Sequence, residues 1–137
     1  MLFTKASEYA LLSLIYLAQK DSAQGVEVIA NELNISKSFL AKILQNMAKE
    51  GILKSTRGVN GGFELAHKPK DINLKDIVLH AEKHPTSVFE CSSSRGDCPS
   101  DQGEFCKIWK MFNTLQIKVD EFLETITLQD IIIKKEF

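Results

Sequence analysis

Cys91, Cys98 and Cys106 are the only cysteines of a 137-residue chain, and they fall within sixteen consecutive positions. Thiolates are soft metal ligands and redox-active nucleophiles, so gathering all of them in one segment points to chemistry rather than packing. Gly96, Pro99 and Gly103 mark the segment as a polar loop. An odd number of thiols cannot pair off entirely as internal disulfides. The C-x6-C-x7-C spacing is wider than the steps of roughly two to four residues in structural zinc sites, and it differs from the C-x2-C runs of bacterial ferredoxins. Spacing alone therefore supports a metal or redox site without choosing between them. Three free surface thiols are the plain alternative.

The rest of the composition restricts the setting. Hydrophobic residues make up 44% and charged residues 26%, the balance of a soluble globular chain. Met1-Leu2-Phe3-Thr4-Lys5 lacks the basic and apolar stretches of a signal peptide, and no apolar run approaches the roughly 20 residues that span a bilayer. A cytoplasmic location without membrane contact is the expectation, and thiols there are normally reduced. The net charge of −1 conceals an asymmetry. Residues 34–70 carry seven basic and two acidic side chains, whereas residues 71–137 carry eight basic and twelve acidic ones. The first half therefore offers an anion-binding surface, or simply a solvated helix face.

The elements that must position these groups are legible as periodic patterns. Thr4 caps a broad apolar helix through Ala6, Ala10, Leu14 and Leu17. Val26, Ile29, Ala30 and Leu33 give a short second helix. Asn34-Ile35-Ser36 turns the chain, with Ser36 as N-cap of a third helix that buries Leu40, Ile43, Leu44 and Met47 and ends at Gly51. Its opposite face, Ser38, Ala41, Lys42, Gln45 and Lys49, contains no acid. Short polar side chains followed by lysines suit a helix laid in a DNA groove, and the pair resembles a helix-turn-helix.

Ile52–Arg57 and Phe63–Lys68 read as two strands joined by Gly58-Val59-Asn60-Gly61-Gly62, with Asn-Gly expected to supply the positive φ angles of the hairpin. A basic hairpin directly after a candidate recognition helix has the layout of a winged helix, with Arg57 and the glycine-rich tip placed for a minor groove or phosphates. Asn73 caps a fourth helix carrying Ile77 and Val78. Phe105, Ile108, Phe112, Leu115, Val119, Phe122 and Ile126 then recur in steps of 3 and 4, predicting one helix over 105–126 about 33 Å long. Such a helix outruns one small core, so pairing with a second copy is expected. Thr127 with Asp130 predicts a capping box for a last helix through Leu128, Ile131 and Ile132. The expected fold is mainly α with a small β-hairpin wing. It comprises a winged helix-turn-helix DNA-binding domain at 1–84, a cysteine-bearing sensor loop at 85–104, and a dimerisation helix with a C-terminal helix at 105–137.

Taken together, Phe3-Thr4-Lys5 leading into Tyr9-Ala10-Leu11, Ile35-Ser36-Lys37-Ser38-Phe39-Leu40, the wing Arg57-Gly58-Val59-Asn60-Gly61-Gly62-Phe63, the three cysteines and Ile126-Thr127-Leu128-Gln129-Asp130-Ile131 resemble the bacterial winged-helix regulators of the IscR/NsrR type (the "Rrf-two" family). The resemblance covers essentially the whole chain. It implies a homodimer that binds a double-stranded DNA operator and, where these cysteines occur, an iron–sulfur cluster of the 2Fe–2S or 4Fe–4S kind. The branch that regulates cluster assembly carries a histidine three residues after its last cysteine, where this chain has Trp109. In the nitric-oxide and redox-sensing branches a carboxylate on helix 1 of the partner completes the cluster, and Glu8 stands at the matching position. His84 is the other candidate ligand, and Trp109 is expected to pack in the helix seam. Ala41 replaces an acidic residue of the assembly branch, so that branch's operator preference does not carry over. On this resemblance Ser36, Ser38, Phe39 and Lys42 face DNA from the recognition helix, and Arg57, Asn60 and Gly61 from the wing. A zinc site or a cluster-free thiol switch keeps the same DNA function. A small redox protein is the remote alternative, since no nucleophile–base constellation and no phosphate-cradling motif is present.

Overall fold

A computed structural model describes residues 2–137. Six helices, α1 (Lys5–Ala18), α2 (Val26–Leu33), α3 (Lys37–Lys49), α4 (Leu74–Glu82), α5 (Trp109–Thr125) and α6 (Leu128–Ile132), surround one hairpin of β1 (Leu53–Thr56) and β2 (Gly62–Leu65). Local chemistry sets the boundaries. Thr4 accepts from the Ala6 amide at the start of α1, and Asn73 accepts from Asp76 at the start of α4. Thr127 and Asp130 form the expected reciprocal capping box on α6. Asn34 ends α2 in the left-handed conformation, φ 54°. At the end of α3, Gly51 (φ 81°) and Ile52 return their amides to the Ala48 and Met47 carbonyls, which closes a Schellman motif.

One core joins these elements. Leu14 of α1, Ile29 of α2, Leu40, Leu44 and Met47 of α3, Ile77 of α4 and Leu128 of α6 belong to a single buried cluster. The face of α3 expected inside is inside, and Ser38, Lys42, Gln45 and Lys49 are exposed. The last helix is stitched to the fourth: the Leu74 amide donates to the Ile126 carbonyl and the Leu128 amide to the Ile72 carbonyl, both at 2.8 Å.

The hairpin is antiparallel, with Leu53 opposite Leu65 and Thr56 opposite Gly62. Its strands are shorter than the sequence predicts, and the Asn-Gly expectation is corrected. The positive φ angles fall at Gly58 (104°) and Gly62 (140°), not at Asn60-Gly61. A five-residue loop at 57–61 needs a different backbone path from a two-residue turn. Gly62 is required for a further reason. Phe63 exchanges two hydrogen bonds with Gln24 (2.8 and 2.9 Å), and a Cβ on Gly62 would overlap the Gln24 carbonyl. The wing is thereby fixed to the loop between α1 and α2.

The long seam is also corrected. A 3-10 turn occupies Gly103–Phe105 and the backbone at Cys106 is extended (φ −71°, ψ 114°). That breaks the hydrogen-bond run, and α5 begins only at Trp109, giving 17 residues or about 26 Å. Phe105 therefore stands outside the helix and is 80% exposed. Within α5 the chain buries Gln116 and Leu123, while Leu115 and Phe122, with Ile108 at the N-cap, face solvent at 44–56% exposure. Ser36 occupies the N-cap position of α3 without a side-chain cap bond; its hydroxyl lies 3.1 Å from that of Ser38. No helix among the described residues is long and apolar enough to cross a membrane.

Candidate functional site

The three cysteines come together on one cavity of about 440 Å³, whose walls include Phe89, Phe105, Trp109 and Phe112. Cys91 is buried and the other two are partly exposed. Two 3-10 turns, Arg95–Asp97 and Gly103–Phe105, fold the loop back so that residues distant in sequence share this cavity. Gly103 permits the close approach: a Cβ there would collide with the Arg95 carbonyl. Among the described residues, no three His, Cys, Asp or Glu side chains are grouped tightly enough to hold a single metal ion. His84 does not line the cavity; its Nδ1 sits 3.1 Å from the Pro85 carbonyl oxygen.

The second candidate surface is the outer face of α3 with the wing. Ser36, Ser38 and Lys42 are exposed, as are Arg57 and Asn60, and Gly61 is half-buried beneath them. Phe39 is 40% exposed and meets Tyr9 edge-to-face at 5.7 Å, so its ring is shared between α1 and solvent. Lys37 pairs with Glu27 at 3.1 Å and Lys54 with Glu64 at 3.8 Å. Lys42, Lys49 and Arg57 form no ion pair among the described residues. These three cations are left free for phosphate contacts on this face.

The profile of the Rrf2 family, "Iron-dependent Transcriptional regulator", matches residues 3–134. The chain belongs to the Rrf2 family. Among its relatives, the transcriptional regulator NsrR of Bacillus licheniformis is 31% identical over 139 residues, spanning 99% of this chain and 95% of the relative. The chain is also similar to the solved structure of CymR, the "global cysteine regulator" of B. subtilis, at 25% identity and TM-score 0.72 over 98% of both chains. The T. potens IscR structure matches at TM-score 0.72 and 24% identity, covering 97% of this chain and 87% of that one, which shows the shared winged-helix fold alone. As an Rrf2-family transcriptional regulator the protein binds DNA, and its relatives are regulators rather than enzymes.

Within this Rrf2 chain Glu8 does not line the cysteine cavity. It is exposed on the first turn of α1, 2.6 Å from Lys5, and lines a separate apolar groove between α1 and α5 with Leu11, Val119 and Phe122. Hydrogen bonding to Glu8 and its negative charge raise the Lys5 ammonium above its ordinary pKa. Trp109 is corrected from the helix seam to the cysteine site. Its Nε1–H donates to the Cys91 carbonyl at 2.9 Å, and the Arg95 guanidinium lies 4.5 Å from its ring centroid.

Two polar networks were not read from the sequence. The Glu82 carboxylate accepts from the Thr4 amide and hydroxyl and from the Ser7 hydroxyl, tying the end of α4 to the first turn of α1. Burial pushes the Glu82 carboxyl up, but the bonds from Ser7 and Thr4 outweigh it and leave its pKa lowered. The second network is a polar stripe along α5. Asn113 donates to the Ser92 carbonyl at 2.9 Å, while Gln116 accepts from the Val88 amide and the Ser92 hydroxyl and donates to the Thr86 carbonyl. A Trp, an Asn and a Gln at i, i+4 and i+7, sharing one face of the helix, are the signal that could have revealed it.

Proposed function

We propose that two copies of this chain form a homodimer whose operator binding is set by an iron–sulfur cluster held by Cys91, Cys98 and Cys106, with the partner subunit's Glu8 as fourth ligand. The observation that carries this reading is the convergence of three thiols, drawn from separate turns of one loop, on a single cavity with aromatic walls. The residues fit the group. Thiolates are the donors iron–sulfur clusters take, and the apolar walls limit solvent access. Such a cluster would supply a centre that reacts with oxidants or nitric oxide and whose assembly depends on iron supply. Within its own chain Glu8 lines a different groove from the cysteine cavity, which favours a ligand offered across an interface. To serve, its carboxylate must leave Lys5.

Residues 1–84 then form the DNA-binding unit and 85–104 the sensor loop, with 105–137 supplying the pairing element. The exposed Ile108, Leu115 and Phe122 on α5 support that last role, because a solvent-facing apolar row on a helix marks an interaction surface. Ser36, Ser38, Phe39 and Lys42 contact a major groove, and Arg57, Asn60 and Gly61 work from the wing. Changing the ligands of the loop alters the spacing of the two winged units. A coupling of about 1–3 kcal/mol suffices to change occupancy about 5- to 150-fold.

Anaerobic isolation tests the proposal. Brown protein with iron and acid-labile sulfide supports it, and colourless protein containing zinc refutes it. Glu8→Ala with an unchanged visible spectrum and cluster lifetime removes Glu8 from the ligand set. A cluster-free thiol switch is the second reading. It is favoured by the partial exposure of Cys98 and Cys106 and by the likeness to a cysteine regulator. Colourless, metal-free protein whose operator affinity changes reversibly with thiol oxidation would establish it.

A further inference from the structure

The three cysteines are not held alike. Cys91 is 7% exposed, and the backbone on either side of it is gripped by side chains of α5. Trp109 Nε1 donates to the Cys91 carbonyl, and Asn113 Nδ2 donates to the next carbonyl, Ser92, each at 2.9 Å. Gln116, 3% exposed, takes the Ser92 hydroxyl at 2.7 Å and the Val88 amide at 2.8 Å on one atom. Its amide nitrogen donates to the Thr86 carbonyl and to Asp120, both at 3.0 Å. Every polar atom of that buried side chain is thereby satisfied, the condition under which a buried amide specifies one arrangement. Among the described residues, Cys98 and Cys106 receive no such side-chain bond, and turn hydrogen bonds alone hold their backbones.

We infer that Trp109, Asn113 and Gln116 are a set of positioning residues that lock Cys91 to α5, making Cys91 the fixed thiol of the site and the route from the loop to the helix. The inference rests on the cysteine-site reading above but does not need the cofactor for its test. Cys98 and Cys106 move with the loop, whereas any shift of Cys91 must displace the first two turns of α5. The face of α5 that grips Cys91 is distinct from the exposed row of Ile108, Leu115 and Phe122. One helix therefore reads the site on one side and presents an apolar surface on the other. Arg95, over the ring of Trp109, ties the middle of the loop to the same anchor.

The experiment uses the full chain and two mild variants, Trp109→Phe and Asn113→Ala, each checked for fold by far-ultraviolet circular dichroism. In cluster-free protein, alkylation by iodoacetamide is followed cysteine by cysteine by mass spectrometry. Wild-type Cys91 is expected to react more slowly than Cys98 and Cys106. Each variant is expected to speed Cys91 alone by about five-fold, the change that one lost hydrogen bond makes to a local opening equilibrium. A general loosening would speed all three thiols together, and that result overturns the inference, as does an unchanged Cys91 rate in both variants. In parallel, wild-type and variant proteins are given iron and sulfide anaerobically. Faster cluster decay in the variants supports the inference, and equal decay overturns it. Wild-type protein that takes up no cluster refutes the cofactor reading alone, because the alkylation rates still decide the role of the three residues.

Discussion

Replacing Glu82 by Ala removes the side chain that, alone among the described residues, bonds α4 to the first turn of α1. The loss has two unequal parts. Thr4 is exposed, so its amide and hydroxyl turn to water, and the net loss there is about 1 kcal/mol. Ser7 is 1% exposed; its hydroxyl finds no water, and an unsatisfied buried donor costs about 1–3 kcal/mol. The expected total is about 2–4 kcal/mol, a substantial share of the ~5–15 kcal/mol that stabilises a typical domain. Urea unfolding at fixed chain concentration measures it, because self-association would otherwise move the transition. With a slope of about 2 kcal/mol/M, the midpoint should fall by roughly 1–2 M. Ser7→Ala placed in the Glu82→Ala background deletes the stranded hydroxyl and should restore about 1–2 kcal/mol. A loss below about 0.5 kcal/mol with no recovery would refute the reasoning. It would mean that Ser7 turns back to a carbonyl of its own helix, the usual escape for a helical serine.

The same carboxyl gives a pH dependence. Its folded pKa lies below the ordinary value of 4.5, so its stabilisation is fully present above that value and is lost as pH falls through the lowered one. Glu82→Gln should therefore flatten the acid limb of the stability curve below pH 4.5 and leave the neutral limb parallel to wild type, as thermal unfolding across pH would show. Gly62→Ala forces a side chain into φ 140° and against the Gln24 carbonyl. Backbone strain of about 1–3 kcal/mol plus a lost hydrogen bond should lower Tm by roughly 5–15 °C, readable by calorimetry. Arg57→Ala should reduce the slope of log affinity against log salt by about one and weaken binding similarly on all operators, measured by fluorescence anisotropy. An unchanged slope would take Arg57 off the phosphates.

Most of the helical framework was legible because local chemistry and burial agree. Thr4, Asn73, Thr127 and Asp130 cap where their side chains suggest, and Leu40, Ile43, Leu44 and Met47 are apolar at a period that leaves one face for the core. The failures occur where the backbone obeys contacts distant in sequence. Asn60-Gly61 carries the strongest short-range turn signal, yet Gly62 takes the positive φ because the loop of Gln24 presses on it. Phe105 continues the apolar rhythm, but the extended backbone at Cys106 detaches it from α5. Trp109 lies beside the apolar seam rather than in it, because its indole N–H needs a partner and the Cys91 carbonyl provides it. For the cysteines, spacing announced chemistry without geometry, since only the two 3-10 turns place them on one cavity.

Leu128 sits fully buried in the same cluster as Leu14, Ile29 and Leu40. That placement governs the order in which the protein can be made. The helix-turn-helix and the wing emerge from the ribosome first, yet their core stays open on one side until the segment after α5 has been synthesised and has returned to Ile72 and Leu74. Contacts between residues from opposite ends of a chain close late and slow the final collapse. At about 5–20 residues per second the face of α3 and the wing proposed to read DNA would therefore exist for seconds as an incomplete, apolar-sided intermediate. A message cut short before Leu128 would yield a chain that carries α3 and the wing but an unfinished core.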